Sequence, residues 1–246
     1  MKIDWSTLDA ALERRAPVLW WRDDDVTEPS PALDRLLALT AAWDAPITLA
    51  AIPTRIDPAL AARIAHDPSV SVAVHGWTHT SHAPKDEKKA EFGAHRPLSD
   101  RMAEVEKALS ILTDSFGAQA VPVFIPPWNR IAPDMPATLA LAGYRGISVY
   151  GERMPRHLPL SRFDAHLDPV DWRGTRSAVD PQGFVERIAT LMNDDAPIGL
   201  MTHHLAHDDA IWELTDAVVT RLTHGGAIWT SLPSLIDDAQ SDASGL

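Results

Sequence analysis

The stretch Val18-Leu19-Trp20-Trp21-Arg22-Asp23-Asp24-Asp25 joins an apolar run of strand length to three consecutive carboxylates. Adjacent carboxylates repel one another, so such a run on its own is typical of a solvated turn. Here it follows directly on a segment with the composition of a buried strand, and clustered carboxylates that are buried need a cation. The stretch therefore predicts a buried strand whose carboxyl end holds a positively charged partner.

Further apolar runs of strand length alternate with helical patterns along the rest of the chain. This alternation predicts βαβ units around a parallel sheet. We therefore predict an α/β fold, a single-domain (β/α)7-type distorted barrel over residues 1–246. No G-x-G-x-x-G follows the first strand, which argues against a dinucleotide-binding sheet. The predicted strands are residues 17–21, 47–52, 70–74, 121–125, 146–150, 163–170, 198–202 and 227–232. The predicted helices are residues 31–43, 58–65, 99–116, 133–142, 181–192 and 209–222, and the polar tail at 237–246 is expected to fray.

The composition excludes several classes of function. The formal net charge is −12 and the pI is about 5.2, so the chain lacks the basic surface that nucleic acids or anionic membranes require. The chain contains no cysteine, so only His, Asp or Glu could hold a transition metal. No apolar run reaches the ~20 residues of a membrane span, and the first residues lack the apolar segment of a signal peptide. We expect a cytoplasmic protein without a nucleic-acid or membrane partner.

Histidines follow two of the predicted strands. His75-Gly76-Trp77-Thr78-His79 comes after the third strand, and His203-His204 comes after the seventh. In barrel enzymes the loops after the strands carry the chemistry. Two histidines and one carboxylate make a metal site with an open position, and a further carboxylate and histidine remain to move protons. These are the groups of metal-assisted hydrolysis, in which the metal polarises a carbonyl and lowers the pKa of water.

The carboxylates after the first strand and the histidines after the third and seventh strands, in their order along the chain, resemble the motifs of the polysaccharide deacetylase family, carbohydrate esterase family 4. The resemblance extends across nearly the whole chain. The resemblance implies a (β/α)7 barrel and one divalent metal ion held by Asp25, His75 and His79. Zinc is the expected metal, with cobalt, nickel, manganese and iron as alternatives. The resemblance makes Asp24 the general base, whereas simple strand alternation would place Asp23 with Asp25 on one face and leaves Asp23 as the alternative.

The third motif is the least complete. R-P-P-x-G in the family resembles Ile125-Pro126-Pro127-Trp128-Asn129 here, without the arginine that orients the base. Arg22 and Arg130 are the candidates to replace it. For Glu91 and Phe92, in the insertion after the second motif, we favour a charged loop surface over a place in the site.

The fourth and fifth motifs supply the acid. D-x-x-D-W matches residues 168–172, which implies that Asp171 orients the catalytic histidine and that Trp172 walls the acyl pocket. L-x-H fits the sequence Met-Thr-His, which makes His203 the general acid and leaves His204 as the alternative register. The residues expected to line the substrate pocket are Trp128, Trp172, Pro127, Met201 and Arg22.

The predicted function is metal-dependent hydrolysis of an acyl group, N-acetyl above others, from a sugar, an oligosaccharide or a related small molecule. The departures from the motifs and the missing export signal favour a branch that acts on small or nucleotide-linked sugars. Three alternatives stay open: a hydrolase of non-sugar amides or imides, a non-catalytic sugar-binding domain, and an Fe(II) oxygenase. The oxygenase shares the two-histidine, one-carboxylate triad but usually has an all-β fold. The sequence predicts no particular oligomeric state.

Overall fold

The structure, a computed structural model, describes residues 2–151 and 160–244. One sheet contains the strands β1 Val18–Val26, β2 Ile47–Ala51, β3 Val70–His75, β4 Ala120–Ile125, β5 Gly146–Ile147, β6 Ser161–Arg162, β7 Ile198–Thr202 and β8 Ile228–Trp229. The helices are α1 Ser6–Arg14, α2 Pro31–Ala42, α3 Pro58–Ile64, α4 Leu98–Phe116, α5 Met135–Leu141, α6 Pro181–Leu191, α7 Asp209–His224 and α8 Leu232–Ser244. Helix α1 is one that the sequence patterns did not indicate. None of the described helices has the length and apolar composition needed to cross a membrane.

The sheet curls into a closed ring of parallel strands. Its strands follow the order β6-β5-β4-β3-β2-β1-β7, and β8 pairs with the first residues of β1. The chain beyond β6 joins the two edges of the sheet. There Ala165 N donates a hydrogen bond of 2.8 Å to Val149 O, and Met201 N donates one of 2.8 Å to Leu167 O. The predicted (β/α)7-type distorted barrel is therefore confirmed, with its distortion at the two-residue strands β5 and β6.

Two apolar cores lie on opposite sides of the sheet, because successive residues of a strand face opposite sides. Trp20 belongs to the cluster inside the barrel, with Ala50, Ala73 and Phe163. Trp21 belongs to the larger cluster between the sheet and the helices. The alternation continues along β1 and decides where its charged residues lie.

Helix α8 closes the amino-terminal end of the barrel. Leu232, Leu235 and Ile236 follow helical spacing and are buried in the same interior cluster as Trp20. The polar tail expected to fray continues helix α8 to Ser244, and the buried apolar residues at the start of α8 anchor this helix; residues 245–246 lie outside the described residues. A substrate could therefore reach the barrel interior only from the opposite, carboxyl-terminal end.

Candidate metal centre

The three carboxylates at the end of β1 point in three directions. The pairing of β1 with β2 is irregular between Asp23 and Val26, and Asp25 has φ 69°, a region that non-glycine residues rarely adopt. Asp23 faces the outer layer, Asp24 faces the barrel interior, and the kink turns Asp25 toward the loop after β3. The strand is longer than predicted because it contains all three carboxylates.

Asp25, His75 and His79 converge at the carboxyl end of the barrel. Asp25 Oδ1 lies 3.2 Å from His75 Nε2 and 3.1 Å from His79 Nε2. His75 Nδ1 lies 3.0 Å from Ile125 O, which places the proton of the neutral ring on Nδ1 and leaves the Nε2 lone pair facing the carboxylate. Asp25 Oδ1 is buried without a hydrogen-bond partner among the described residues. Acceptor atoms this close repel one another unless a cation lies among them, so the three side chains fit a divalent metal ion.

The charges of this cluster shift the pKa values of its members in different directions: burial opposes the charge on His75, but Asp24 and Asp25 raise its pKa. Burial alone would raise the pKa of Asp25, but His75 and His79 hold it well below its ordinary value. Burial lowers the pKa of His79, and the neighbouring His75 lowers it further. An ionised carboxylate and a neutral imidazole are the forms that bind metal ions.

The loop that carries His79 is held by Glu91, from the insertion that follows. Glu91 is fully buried and accepts hydrogen bonds from Trp77 N at 3.0 Å and from Thr78 N at 2.7 Å. A Cβ on Gly76, which has φ 65°, would lie 2.3 Å from Glu91 Oε2. The expectation of a charged loop surface at Glu91 and Phe92 is wrong, because Glu91 satisfies backbone donors of the His79 loop.

Phe92 is buried as well and packs edge-on against Phe124, with ring centroids 5.0 Å apart. The insertion therefore packs against the outer core through Phe92 and is hydrogen-bonded to the His79 loop through Glu91.

Asp24 lies inside the barrel between an arginine and a histidine. Its Oδ1 is 3.2 Å from Arg22 Nε, and its Oδ2 is 3.9 Å from His203 Nε2. Arg22 is fully buried, so it lies beneath the pocket and does not line it as expected. Arg130, the other candidate partner of the base, instead donates to Lys89 O at 2.9 Å.

Asp23 and His204 form a separate buried pair on the outer side of the sheet. His204 Nδ1 is 2.5 Å from Asp23 Oδ1, while Thr202 Oγ1 and His204 N both donate to Asp23 Oδ2. Burial opposes the charge on Asp23, but the contact with His204 lowers the pKa of Asp23. Burial likewise opposes the charge on His204, but Asp23 raises the pKa of His204. This pair faces away from the barrel interior, where Asp24 and His203 lie.

His203 packs edge-on against Trp172, with ring centroids 4.7 Å apart. The predicted contact between His203 and Asp171 is absent. The Asp171 carboxylate instead accepts hydrogen bonds of 3.0 Å from Gly174 N and Thr175 N within its own exposed turn.

The other carboxylate near His203 is the half-buried Asp168, whose Oδ2 accepts a hydrogen bond of 2.7 Å from Trp172 Nε1. Burial raises the pKa of Asp168, and the nearby His203 opposes this rise. His203 Nδ1 is buried and has no hydrogen-bond partner within the described ranges. Strand pairing offered the missed signal, because Asp168 directly follows the residue that bridges to β7, the strand that precedes His203.

The residues expected in the pocket divide between its rim and its floor. Trp128 lies at the rim with its ring centroid 4.5 Å from that of His79, and Trp172 is 37% exposed. Pro127 is buried against the loop of the second motif, and Met201 is buried inside the barrel. The two tryptophans are therefore the members of the set that a substrate can reach.

The chain matches no family model and no curated protein sequence. Solved structures do share its fold. A candidate polysaccharide deacetylase from Mycobacterium smegmatis has a TM-score of 0.67 at 13% identity, over 93% of this chain and 95% of that chain. A family 4 acetyl xylan esterase from Clostridium thermocellum, in complex with a cobalt ion, has a TM-score of 0.58 at 15% identity, over 89% and 90%. A peptidoglycan deacetylase from Bacillus subtilis has a TM-score of 0.60 at 14% identity, over 94% of each chain. These likenesses confirm the fold that the family resemblance implies.

Proposed function

We propose that this protein is a metal-dependent deacylase of the carbohydrate esterase family 4 type, which hydrolyses an N-acetyl group from a sugar or a related small substrate. The observation that carries the proposal is the convergence of Asp25, His75 and His79, whose ligand atoms all lie within 4.8 Å of one another. Asp24 and His203 lie beside them and are free to move protons. The solved structures of similar fold include deacetylases and an acetyl xylan esterase, which supports deacylation as the reaction.

Asp25, His75 and His79 would hold one divalent ion, with zinc first and cobalt, nickel, manganese or iron as alternatives. Bound there, the ion would polarise the acyl carbonyl and lower the pKa of a water molecule. The α/β barrel argues against an Fe(II) oxygenase, since that class usually has an all-β fold.

Asp24 takes the proton of the attacking water. Its Oδ1 is turned toward Arg22, so Oδ2 is the oxygen directed at His203 and the open end of the barrel. His203 donates a proton from Nε2 to the leaving amine, and Asp168, which interacts electrostatically with His203, takes the place of Asp171 as its neighbouring carboxylate. Base and acid are thus adjacent side chains, which suits two proton transfers at one scissile bond.

The substrate enters between Trp128 and Trp172, which flank His79 and His203 respectively. Aromatic faces at such positions are common in pockets for small molecules and pack well on sugar rings. This supports a sugar or short oligosaccharide over a non-sugar amide as the substrate.

The proposal is tested by metal analysis together with a deacetylation screen over N-acetylated sugars, nucleotide sugars and short oligosaccharides. We expect a chelator to abolish acetate release and Zn²⁺ or Co²⁺ to restore it. His79→Ala should lose stoichiometric metal, whereas the control His95→Ala, whose ring contacts Glu87 in the insertion, should keep it. Full metal occupancy in His79→Ala, or acetate release that survives the chelator, would contradict the proposal.

A further inference from the structure

A fully buried arginine lies inside the barrel directly beneath the candidate site. Arg22 is 0% exposed, and its guanidinium is one of the few charges in an otherwise apolar interior. Removing a guanidinium from water is energetically unfavourable, and a single ion pair often fails to offset that loss of hydration. Its presence at this position therefore calls for a role beyond stability.

The guanidinium is held on two of its three nitrogens by uncharged acceptors. Nη1 donates to Ser148 O at 3.0 Å and to Ser148 Oγ at 2.6 Å. Nη2 donates to Asn129 Oδ1 at 2.7 Å and contacts the sulfur of Met201 at 2.9 Å. These contacts come from the chain after β4, from the chain after β5 and from β7, so they fix the plane of the guanidinium across the barrel.

The third nitrogen forms an ion pair with the base but donates no hydrogen bond to it. Nε lies 3.2 Å from Asp24 Oδ1, and Asp24 is itself only 2% exposed. Arg22 and Asp24 share one side of β1 because they are two residues apart in a strand. Oδ1 is the oxygen beside the guanidinium, and the other oxygen of Asp24 is the one nearer His203.

We propose that Arg22 is the positioning residue of the base: clamped by Ser148 and Asn129, it fixes the rotamer of Asp24 so that Oδ2 points at the reacting atoms. This inference rests on the proposed deacylase function. Arg22 reaches neither substrate nor metal, and it acts only through Asp24.

The test compares Arg22→Met with Arg101→Met. Arg101, on helix α4 away from the site, is a matched control because it is also buried, with 2% of its surface exposed, and also pairs with an aspartate, Asp134. We expect Arg22→Met to bind stoichiometric zinc, to keep KM within about threefold and to lose on the order of 10²-fold in kcat, since misplaced catalytic groups cost rates of this size. Arg101→Met should lose thermal stability and keep kcat.

Coupling to Asp24 separates positioning from a structural role. If Arg22 acts through the base, Arg22→Met should cause no further loss of kcat in an Asp24→Asn background. Losses that multiply, or a kcat within about threefold of wild type in Arg22→Met, would overturn the inference. Should Arg22→Met fail to fold, Asn129→Ala removes one arm of the clamp at a half-buried position, and the same non-additivity with Asp24→Asn is expected. Multiplying losses there would likewise overturn it.

The two proposals fail in different ways. A wild-type protein without bound metal or acetate release contradicts the deacylase function. An active wild-type protein with an unimpaired Arg22→Met variant contradicts only the role of Arg22.

Discussion

Asp23, Asp24 and Asp25 have one chemistry and three environments. Alternation along β1 sends Asp23 outward to His204 and Asp24 inward to Arg22, and the positive φ of Asp25 breaks the alternation and turns it to His75. Three consecutive residues can therefore take unlike roles without any difference in side-chain type.

The first prediction compares Asp23→Asn, Asp24→Asn and Asp25→Asn, because asparagine keeps the shape of aspartate and cannot serve as a base. Asp25→Asn should lose metal and activity together. Asp24→Asn should keep the metal and lose roughly 10²–10⁴-fold in kcat. Asp23→Asn should keep kcat but lower the free energy of unfolding by about 1–3 kcal/mol, since a buried acceptor network is broken. An active Asp24→Asn beside a metal-loaded but inactive Asp23→Asn would exchange the roles of these two residues.

The second prediction concerns the carboxylate that supports His203. Both carboxylates are half-buried, but Asp168 interacts electrostatically with His203, whereas Asp171 accepts hydrogen bonds from the backbone of its own turn. We expect Asp168→Asn to lower kcat by about tenfold or more and Asp171→Asn to change it by less than about threefold. Steady-state kinetics of both variants, each with measured metal content, decide the matter. A larger effect from Asp171→Asn would restore the role that the family motif implies.

The residues whose roles were wrongly predicted show why the spacing of a motif does not determine where its side chains point. The H-x-x-x-H spacing was informative because His75 ends β3 and His79 lies in the short loop that follows it. Asp171 was assigned by motif position alone, but its carboxylate is captured by backbone donors of the following turn. Glu91 carries a charge and follows a lysine-rich run, and nothing local in the sequence indicates that backbone donors eleven or more residues earlier would bury it.

At the scale of elements, the third prediction concerns the His79 loop. Glu91→Ala removes the acceptor of three backbone amides in the loop that carries the proposed metal ligand His79. We expect weaker zinc binding, by roughly tenfold or more as for other lost supporting contacts of metal ligands, in a protein that still folds. Glu87→Ala is the control from the same insertion, where the side chain contacts the ring of His95 and no backbone amide of the His79 loop among the described residues. Equal zinc affinity in the two variants would contradict this role of Glu91.

The fourth prediction concerns the segment between β7 and α7, where His207 packs against Trp212 with ring centroids 4.5 Å apart. Burial lowers the pKa of His207 to about 4 from an ordinary 6.5. Between these values the unfolded chain binds a proton that the folded chain does not, so the contribution of His207 to stability falls as pH decreases from 6.5 to 4. The loss is on the order of 2–3 kcal/mol. Urea unfolding of wild type and His207→Asn at pH 7 and pH 4.5 should show the smaller decline in the variant, and parallel declines would contradict the prediction.

Strand boundaries were predictable where a buried apolar run has a clear start and end in the sequence. They were less predictable where the closure of the barrel determines how many residues pair. The prediction for β7, residues 198–202, agrees with the observed Ile198–Thr202, because every residue of the strand is buried and a proline precedes it. The predicted strand at 146–150 shortens to Gly146–Ile147, whereas β6 lies at Ser161–Arg162, just before the predicted strand at 163–170, where the ring closes through isolated bridges. Helix α8 was missed because polar residues dominate its sequence. Its few apolar residues indicate a helix only once they are seen to pack inside the barrel.

At the scale of the whole molecule, the barrel has a sealed end and a reactive end. Helix α8 fills the amino-terminal end with Leu232, Leu235 and Ile236, while the charged side chains of Arg22 and Asp24 occupy the opposite end of the same interior. The apolar residues that stabilise the barrel interior and the charged residues of the proposed site therefore lie at opposite ends of the same interior. A substitution at one end should leave the other end intact.

The fifth prediction tests this separation with Leu232→Ala. Leu232 is 1% exposed in the interior cluster, so its truncation should leave a cavity and lower the free energy of unfolding by about 2–5 kcal/mol. Metal content and KM of the folded protein should stay within about twofold of wild type, because the cavity lies at the end of the barrel away from Asp25. Leu141→Ala is the control, since Leu141 is 81% exposed and its truncation should change stability by no more than about 0.5 kcal/mol. Urea unfolding and zinc titration of both variants provide the measurement. Loss of zinc binding in Leu232→Ala at a temperature where the protein is still folded would show that the sealed end and the metal site are coupled.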